Sequence, residues 1–262
     1  MQIARSIKAP PKTGIAFIVR TASVFAEHAP RQNRLLAALS PEDYAYLLPG
    51  LEPVSLAQGS TVYGPGEREN YLYFLTEGIV ALCHITVDGC SIESAINGSE
   101  GVIGIASLLG GQSIPSRTMM LSAGFAYRVP TALLIGNVKH DTLLHLLRRY
   151  IMALIAQIGQ AAVCNRLHPV EKQLCSFILF YLDRVQSKEL TLTQEQLSGL
   201  LGVRRESITT AAATLKLAGL INYSRGHITV LNRPGLEKRV CECYGVVKRE
   251  YDRLLPLKNL SA

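Results

Sequence analysis

Between Leu51 and about Val129 the chain alternates apolar and polar residues in short runs. These are Glu52 to Leu56, Thr61-Val62-Tyr63, Tyr71 to Leu75, Ile79 to Ile85 and Ser91 to Ile96, parted by Gly50, Gly59, Gly64, Gly66, Gly78, Gly89 and Gly98. Alternation sends successive side chains to opposite faces of a strand, and turn signals about every 8–12 residues predict a β-sandwich or barrel. Asp88-Gly89 predicts a tight hairpin. Two helices precede this region. One runs from Asn33 to Leu39, and the next opens on Ser40 as N-cap with Pro41 in the first helical position.

The period then lengthens. A long helix is predicted from about Pro130 to Leu167, broken near Gly136-Asn137. Leu143, Leu147, Tyr150, Leu154, Ile158 and Ala161 recur in it at steps of four and three, a heptad-like seam. Ala153, Ala156 and Gly159 would admit a close partner helix. The seam outruns what one small sandwich covers, so a homodimer is expected through Leu147, Tyr150, Leu154, Ile158 and Ala161.

After His168-Pro169 a second compact unit begins, with a helix from Val170 to Val185 and a short strand at Leu190-Thr191-Leu192. Thr193-Gln194-Glu195-Gln196 is a capping box opening a helix that Gly202 ends. A further helix spans about Arg204 to Leu217, stopped by Gly219. Strands from Leu220 to Tyr223 and from His227 to Leu231 flank the turn Ser224-Arg225-Gly226. Helix, glycine-containing turn, helix and β-hairpin make a winged helix-turn-helix pattern. The expected class is α+β, in four parts: a flexible basic tail over 1–30, a β-domain over 31–136, a dimer helix over 137–167, and a winged domain with a C-terminal helix over 168–262.

Charge assigns the back half a partner. From Arg166 onward there are 15 Lys and Arg against nine acids, a net +6, which leaves +1 for the first 165 residues. Such asymmetry points to a polyanion, double-stranded DNA first. The second helix of the pair starts Arg204-Arg205-Glu206-Ser207 and continues through Thr209 and Thr210, polar side chains long enough to reach base edges in a major groove. Arg suits guanine as a bidentate donor, and Glu accepts from a cytosine amino group. Arg204, Arg225 and His227, at a helix flank and a wing tip, suit phosphate.

Other classes fall away. No apolar run reaches the roughly 18 residues of a membrane span, so no membrane partner is expected. A cytoplasmic location fits the cysteines, which show neither paired CxxC spacing nor disulfide density. Cys241 and Cys243 read as a chance pair rather than a redox or metal site. No Ser/His/Asp set, HExxH, GxxxxGK or spaced metal ligands suggest an enzyme.

From about Asn33 to Pro256 the chain resembles the Crp–Fnr superfamily of bacterial transcription regulators. The resemblance rests on Gly66-Glu67, Leu72-Tyr73-Phe74-Leu75, Gly78, Gly104, Arg117-Thr118, Thr193 to Leu197 and Gly202 to Ile208, in that order and spacing. It implies a cyclic-nucleotide-type sensor, a dimer helix and a winged reader acting on a pseudo-palindromic operator, with RNA polymerase as a further partner if the protein activates. It also implies an effector pocket at Gly104, Ile105, Arg117 and Thr118. Where cyclic-AMP-binding members carry a ribose-accepting glutamate after the matching glycine, this chain has Ile105, which argues against cyclic AMP; Arg117-Thr118 keeps the phosphate-binding character of the family's Arg-Ser pair. The effector is then another small ligand or none, and no cofactor is expected. Thr210 replaces a second recognition arginine, so one step of the half-site should differ. The first 80 residues hold no cysteine for an iron–sulfur cluster, and no histidine spacing singles out a haem ligand. The competing reading is an effector-binding regulatory protein whose C-terminal domain contacts protein rather than DNA.

Overall fold

The computed structural model describes residues 17–18, 28–87, 91–134, 141–185 and 187–255. The expected hairpin turn at Asp88-Gly89, the helix break at Gly136-Asn137 and most of the expected tail lie outside them. Within that tail, β1 (Phe17–Ile18) pairs antiparallel with β2 (Glu52–Leu56).

The remaining strands of the front half are β3 (Thr61–Tyr63), β4 (Tyr71–Glu77), β5 (Val80–Ile85), β6 (Ser91–Asn97), β7 (Val102–Ile103), β8 (Arg117–Met120) and β9 (Gly124–Pro130). They form two antiparallel sheets, ordered β1-β2-β9-β4-β7 and β3-β8-β5-β6. Strand β4 explains its own composition. Tyr73 and Leu75 point into the sandwich with Val80 and Met120, while Leu72 and Phe74 point outward under a helical layer. A strand buried on both faces reads as a continuous apolar run.

That helical layer contains α1 (Arg34–Ala37), α2 (Pro41–Leu47) and the long α3 (Asp141–Leu167). Asn33 caps α1 and Ser40 caps α2, each side chain accepting backbone N–H bonds. The expected helix start at Pro130 is corrected. Pro130 closes strand β9 opposite Tyr71, and Thr131–Leu133 is a 3-10 turn.

The expected dimer seam is corrected more deeply. Leu147, Tyr150 and Leu154 are 2%, 0% and 6% exposed, packed with Phe74, Val102 and Tyr127 of the chain's own sandwich. Tyr150 lies against Gly101, where a Cβ would stand 2.9 Å from its ring. Ile158 is half-buried against the same core, and half-buried Ala161 lines a cleft shared with Phe177. The opposite face is the open one. His145, Arg148, Met152, Ile155, Gly159, Ala162 and Arg166 are exposed at alternating steps of three and four, and Met152 and Ile155 are each 55% exposed.

The back half begins with α4 (Val170–Leu182), whose residues from Gln173 to Leu179 are all buried. Then come β10 (Glu189–Thr191), α5 (Gln194–Leu201), α6 (Arg205–Leu217), β11 (Ile221–Ser224) and β12 (His227–Val230). These three strands form one sheet in the order β10-β12-β11. The capping box is complete: Gln196 N donates to Thr193 Oγ1 at 3.1 Å, and Thr193 N donates to Gln196 Oε1 at 2.8 Å. Gly202 ends α5 in the left-handed region, φ +64°. Among the described residues two further helices follow instead of one, α7 (Arg233–Arg239) and α8 (Glu242–Leu254).

The two halves are packed together. Ile79, Ala81, Ile96 and Leu121 of the sandwich share one core with Leu174, Ile178, Leu197, Ile208 and Leu215. Buried Arg184, just past α4, donates to Glu100 at 2.7 Å. No helix among the described residues is long and apolar enough to cross a membrane.

Candidate nucleic-acid interface and effector cleft

Helix α6 has one inward face, Ile208, Ala211, Ala212 and Leu215, all buried. Its period therefore throws Arg205, Glu206, Thr209 and Thr210 outward, and all four are exposed. Arg204 is the exposed N-cap residue, and Ser207 is half-buried. The free N–H groups of a helix start also suit an anion.

Two hydroxyls on this face are already engaged. Thr209 Oγ1 donates to Gln194 Oε1 at 2.9 Å and lies 3.1 Å from the Arg205 carbonyl oxygen. Thr210 Oγ1 donates to the Glu206 carbonyl at 3.0 Å. Their hydroxyl hydrogens are thus engaged within the protein, which leaves the oxygens as acceptors and the methyl groups for apolar contact. Gln194, at the start of α5, is not singled out by the sequence. Its place beside Thr209 could be read from the helix-turn-helix spacing.

The wing turns at Arg225 and Gly226, both left-handed with φ 50° and 84°. Arg225 is exposed at the tip, and exposed His227 starts β12 with its Nδ1 3.4 Å from Thr191 Oγ1. Tyr223 Oη donates to the Leu192 carbonyl at 3.0 Å, tying the wing to the strand that leads into α5.

In the sandwich, Gly104, Ile105 and Thr118 line a small cleft of ≈ 40 Å³, with Leu82, Tyr150 and Leu154 among its other walls. Gly104 is obligatory, since its φ is +95° and a Cβ would lie 2.2 Å from the Tyr71 carbonyl oxygen. Arg117 does not line this cleft; it stands half-buried on β8 opposite Cys83. An acid that the sequence does not single out is there instead. Buried Glu69 accepts from Ala106 N at 2.6 Å, and burial raises its carboxyl above the ordinary range. The cleft is mainly apolar, and its charged wall residue is acidic.

Away from both places, Cys164, His168, Cys241 and Cys243 converge where α3 ends and α8 begins. The last two are therefore not an isolated chance pair.

Residues 53–136 match the cyclic nucleotide-binding domain family, and residues 172–239 match the Crp-like helix-turn-helix domain family. Together these spans cover more than half of the chain. No curated protein matches. Among solved structures, the CRP-family transcriptional regulator TTHB099 from Thermus thermophilus is 20% identical, with TM-score 0.61, covering 70% of this chain and 94% of its own. FixK2 from Bradyrhizobium japonicum is 17% identical, with TM-score 0.63, covering 73% and 98%. The c-di-GMP-responsive regulator CLP of Xanthomonas campestris is 15% identical, with TM-score 0.59, covering 73% and 99%. At such identities the three structures establish the fold. The two domain matches, in this order on one chain, establish more: the protein belongs to the Crp–Fnr superfamily of transcription regulators, with a helix-turn-helix DNA-binding domain.

Proposed function

We propose that the protein acts as a homodimer on a pseudo-palindromic operator, reading sequence with the first turn of α6 and gripping phosphates with the wing. The observation that carries this is the outward set Arg205, Glu206, Thr209 and Thr210, flanked by the exposed Arg225 tip. Arg205 donates to guanine, Glu206 accepts from cytosine, and the Thr209 and Thr210 methyls meet thymine methyls. Arg204, Arg225 and His227 hold the backbone. Two-fold symmetry sets two such helices in successive major grooves, about 34 Å apart.

Arg205→Ala should cost about 1–3 kcal/mol on the cognate duplex and relax preference at one symmetric position. Arg225→Ala should weaken all duplexes alike and reduce the salt slope by about one. Isotherms at several salt concentrations, on cognate and single-step-altered sites, measure both. A uniform loss for Arg205→Ala would move base reading elsewhere. No salt-dependent affinity for any DNA would favour a protein-contacting C-terminal domain.

The effector is a small ligand other than cyclic AMP, or none. Ile105 removes a ribose acceptor, and acidic Glu69 with the displaced Arg117 leaves little for a phosphate. Saturating cyclic AMP should therefore shift neither melting temperature nor DNA affinity, because a ligand bound only to the native state must stabilise it. A clear rise in melting temperature with micromolar nucleotide would overturn this. If the protein activates, RNA polymerase is its further partner.

A further inference from the structure

We propose that Cys164, His168, Cys241 and Cys243 form a structural zinc site that clamps the end of α3 to the start of α8. The ligating atoms of these four residues all lie within 4.8 Å of one another. Cys164 and His168 stand one helical turn apart, the His168 N–H still bonded to the Cys164 carbonyl, so both present to one side. Cys241 is the N-cap of α8 and Cys243 lies just inside it. A turn of helix thus faces a Cys-Glu-Cys element across a gap.

The spacing fits a tetrahedral ion. With Zn–S about 2.3 Å and Zn–N about 2.0–2.1 Å, the edges of a tetrahedron are about 3.6–3.8 Å. The Cys164 and Cys241 sulfurs are 3.6 Å apart, and the Cys243 sulfur is 3.4 Å from His168 Nδ1. Three sulfurs and one imidazole select a borderline-soft ion such as zinc over magnesium or calcium.

The surrounding groups match what such a site needs. His168 Nε2 lies 3.4 Å from Glu242 Oε1, a carboxylate that would fix the tautomer and leave Nδ1 for the metal. Gln160 Nε2 donates to Cys243 Sγ at 3.2 Å, and Ser176 Oγ lies 3.5 Å from Cys241 Sγ. All three cysteines are buried, and His168 is half-buried, as suits a closed structural site rather than an open catalytic one.

Location gives the site its consequence. Cys164 and His168 end the long helix, immediately before the Pro169 turn into the winged domain, whereas Cys241 and Cys243 follow its wing. Metal there ties the last helix of the reader to the last turn of α3 and fixes how the reader hangs from it. Because thiolates and neutral imidazole bind the ion, loading releases protons and stabilises the native state.

The test uses the full-length chain, stripped of metal under reducing conditions and titrated with cobalt(II) and then zinc. The expected result is one equivalent per chain, with intense visible d–d bands of tetrahedral cobalt and a near-ultraviolet thiolate-to-cobalt band, both abolished by one equivalent of zinc. Zinc should also raise the melting temperature. Cys164→Ser, Cys243→Ser and His168→Gln should each lose or reshape the cobalt spectrum, while Cys83→Ala, in strand β5 and outside the group of four, should keep it. Since the wild-type titration needs no variant to fold, stoichiometry and spectrum decide the matter by themselves. Uptake far below one equivalent, weak octahedral-type bands, or an unchanged spectrum in Cys164→Ser would overturn the site. So would a disulfide formed on mild oxidation and mapped by peptide mass to Cys164 and Cys241, in a protein that binds no metal.

Discussion

If the proposed homodimer pairs through the open face of α3, Ile155→Glu is expected to leave monomers at micromolar concentration with almost no change in the fold of each chain. The side chain is 55% exposed in the single chain, so a carboxylate there stays hydrated. In a parallel two-fold pair built on the open face of α3, Met152, Ile155, Gly159 and Ala162 are the core positions of the heptad. Residue 155 then meets its own symmetry mate, and two unpaired carboxylates would be buried together. A buried uncompensated charge costs about 3–5 kcal/mol, a 10²–10³-fold or greater weakening of the dimer. DNA affinity should fall with it, since a monomer engages one half-site without the second binding event becoming intramolecular. Leu154→Glu, one residue away, should behave differently. Leu154 is 6% exposed under its own sandwich, so its replacement should lower the melting temperature before it alters association. Sedimentation and thermal melting of the two variants separate the cases; an Ile155→Glu protein still dimeric at micromolar concentration would sink the assigned face.

Glu100→Ala should lower stability by about 3–5 kcal/mol by stranding the Arg184 guanidinium. The two side chains are only 9% and 7% exposed, Arg184 Nε donates to Glu100 Oε1 at 2.7 Å, and Glu100 Oε2 accepts from Gly98 N at 3.2 Å. For a chain of this size that corresponds to a fall of roughly 10 °C in melting temperature. The double change Glu100→Leu with Arg184→Met should recover most of it, because the large cost lies in leaving one charge without its partner, not in losing the pair. A single-variant melting point within about 2 °C of wild type would show that the guanidinium finds other compensation.

The parts of this molecule that are legible in the sequence are those decided within a few residues. The Thr193 box, the Gly202 stop, the Ser40 cap and the wing turn are settled between a side chain and nearby backbone. The features that pattern alone misreads need distant partners. Pro130 looks like a helix start until Tyr71 is found opposite it in a ladder. The step pattern Leu147, Tyr150, Leu154 marks an apolar stripe, but periodicity cannot say whether the covering surface belongs to the same chain or a second one. The residues that are free to meet a partner look less hydrophobic, being interrupted by Arg148, Gly159 and Arg166. In the effector region Ile105 and Gly104 are legible from the family pattern, whereas Glu69 approaches from a loop 37 residues away from its bonding partner. Cys164 and Cys241 are separated by 77 residues, which no spacing rule spans.

The shared core of sandwich and winged unit bears on modularity. A boundary at His168-Pro169 divides the chain but not the interior. The residue that ends α5 shows why: a Cβ on Gly202 would stand 2.6 Å from Ile92 of strand β6, so that glycine answers to the sensor's sheet as well as to its own helix. Grafting this reader onto another member's sensor would carry over the apolar face that now meets Ile79, Ala81 and Ile96. The unit of exchange between relatives is therefore the reader together with the sheet surface that receives it.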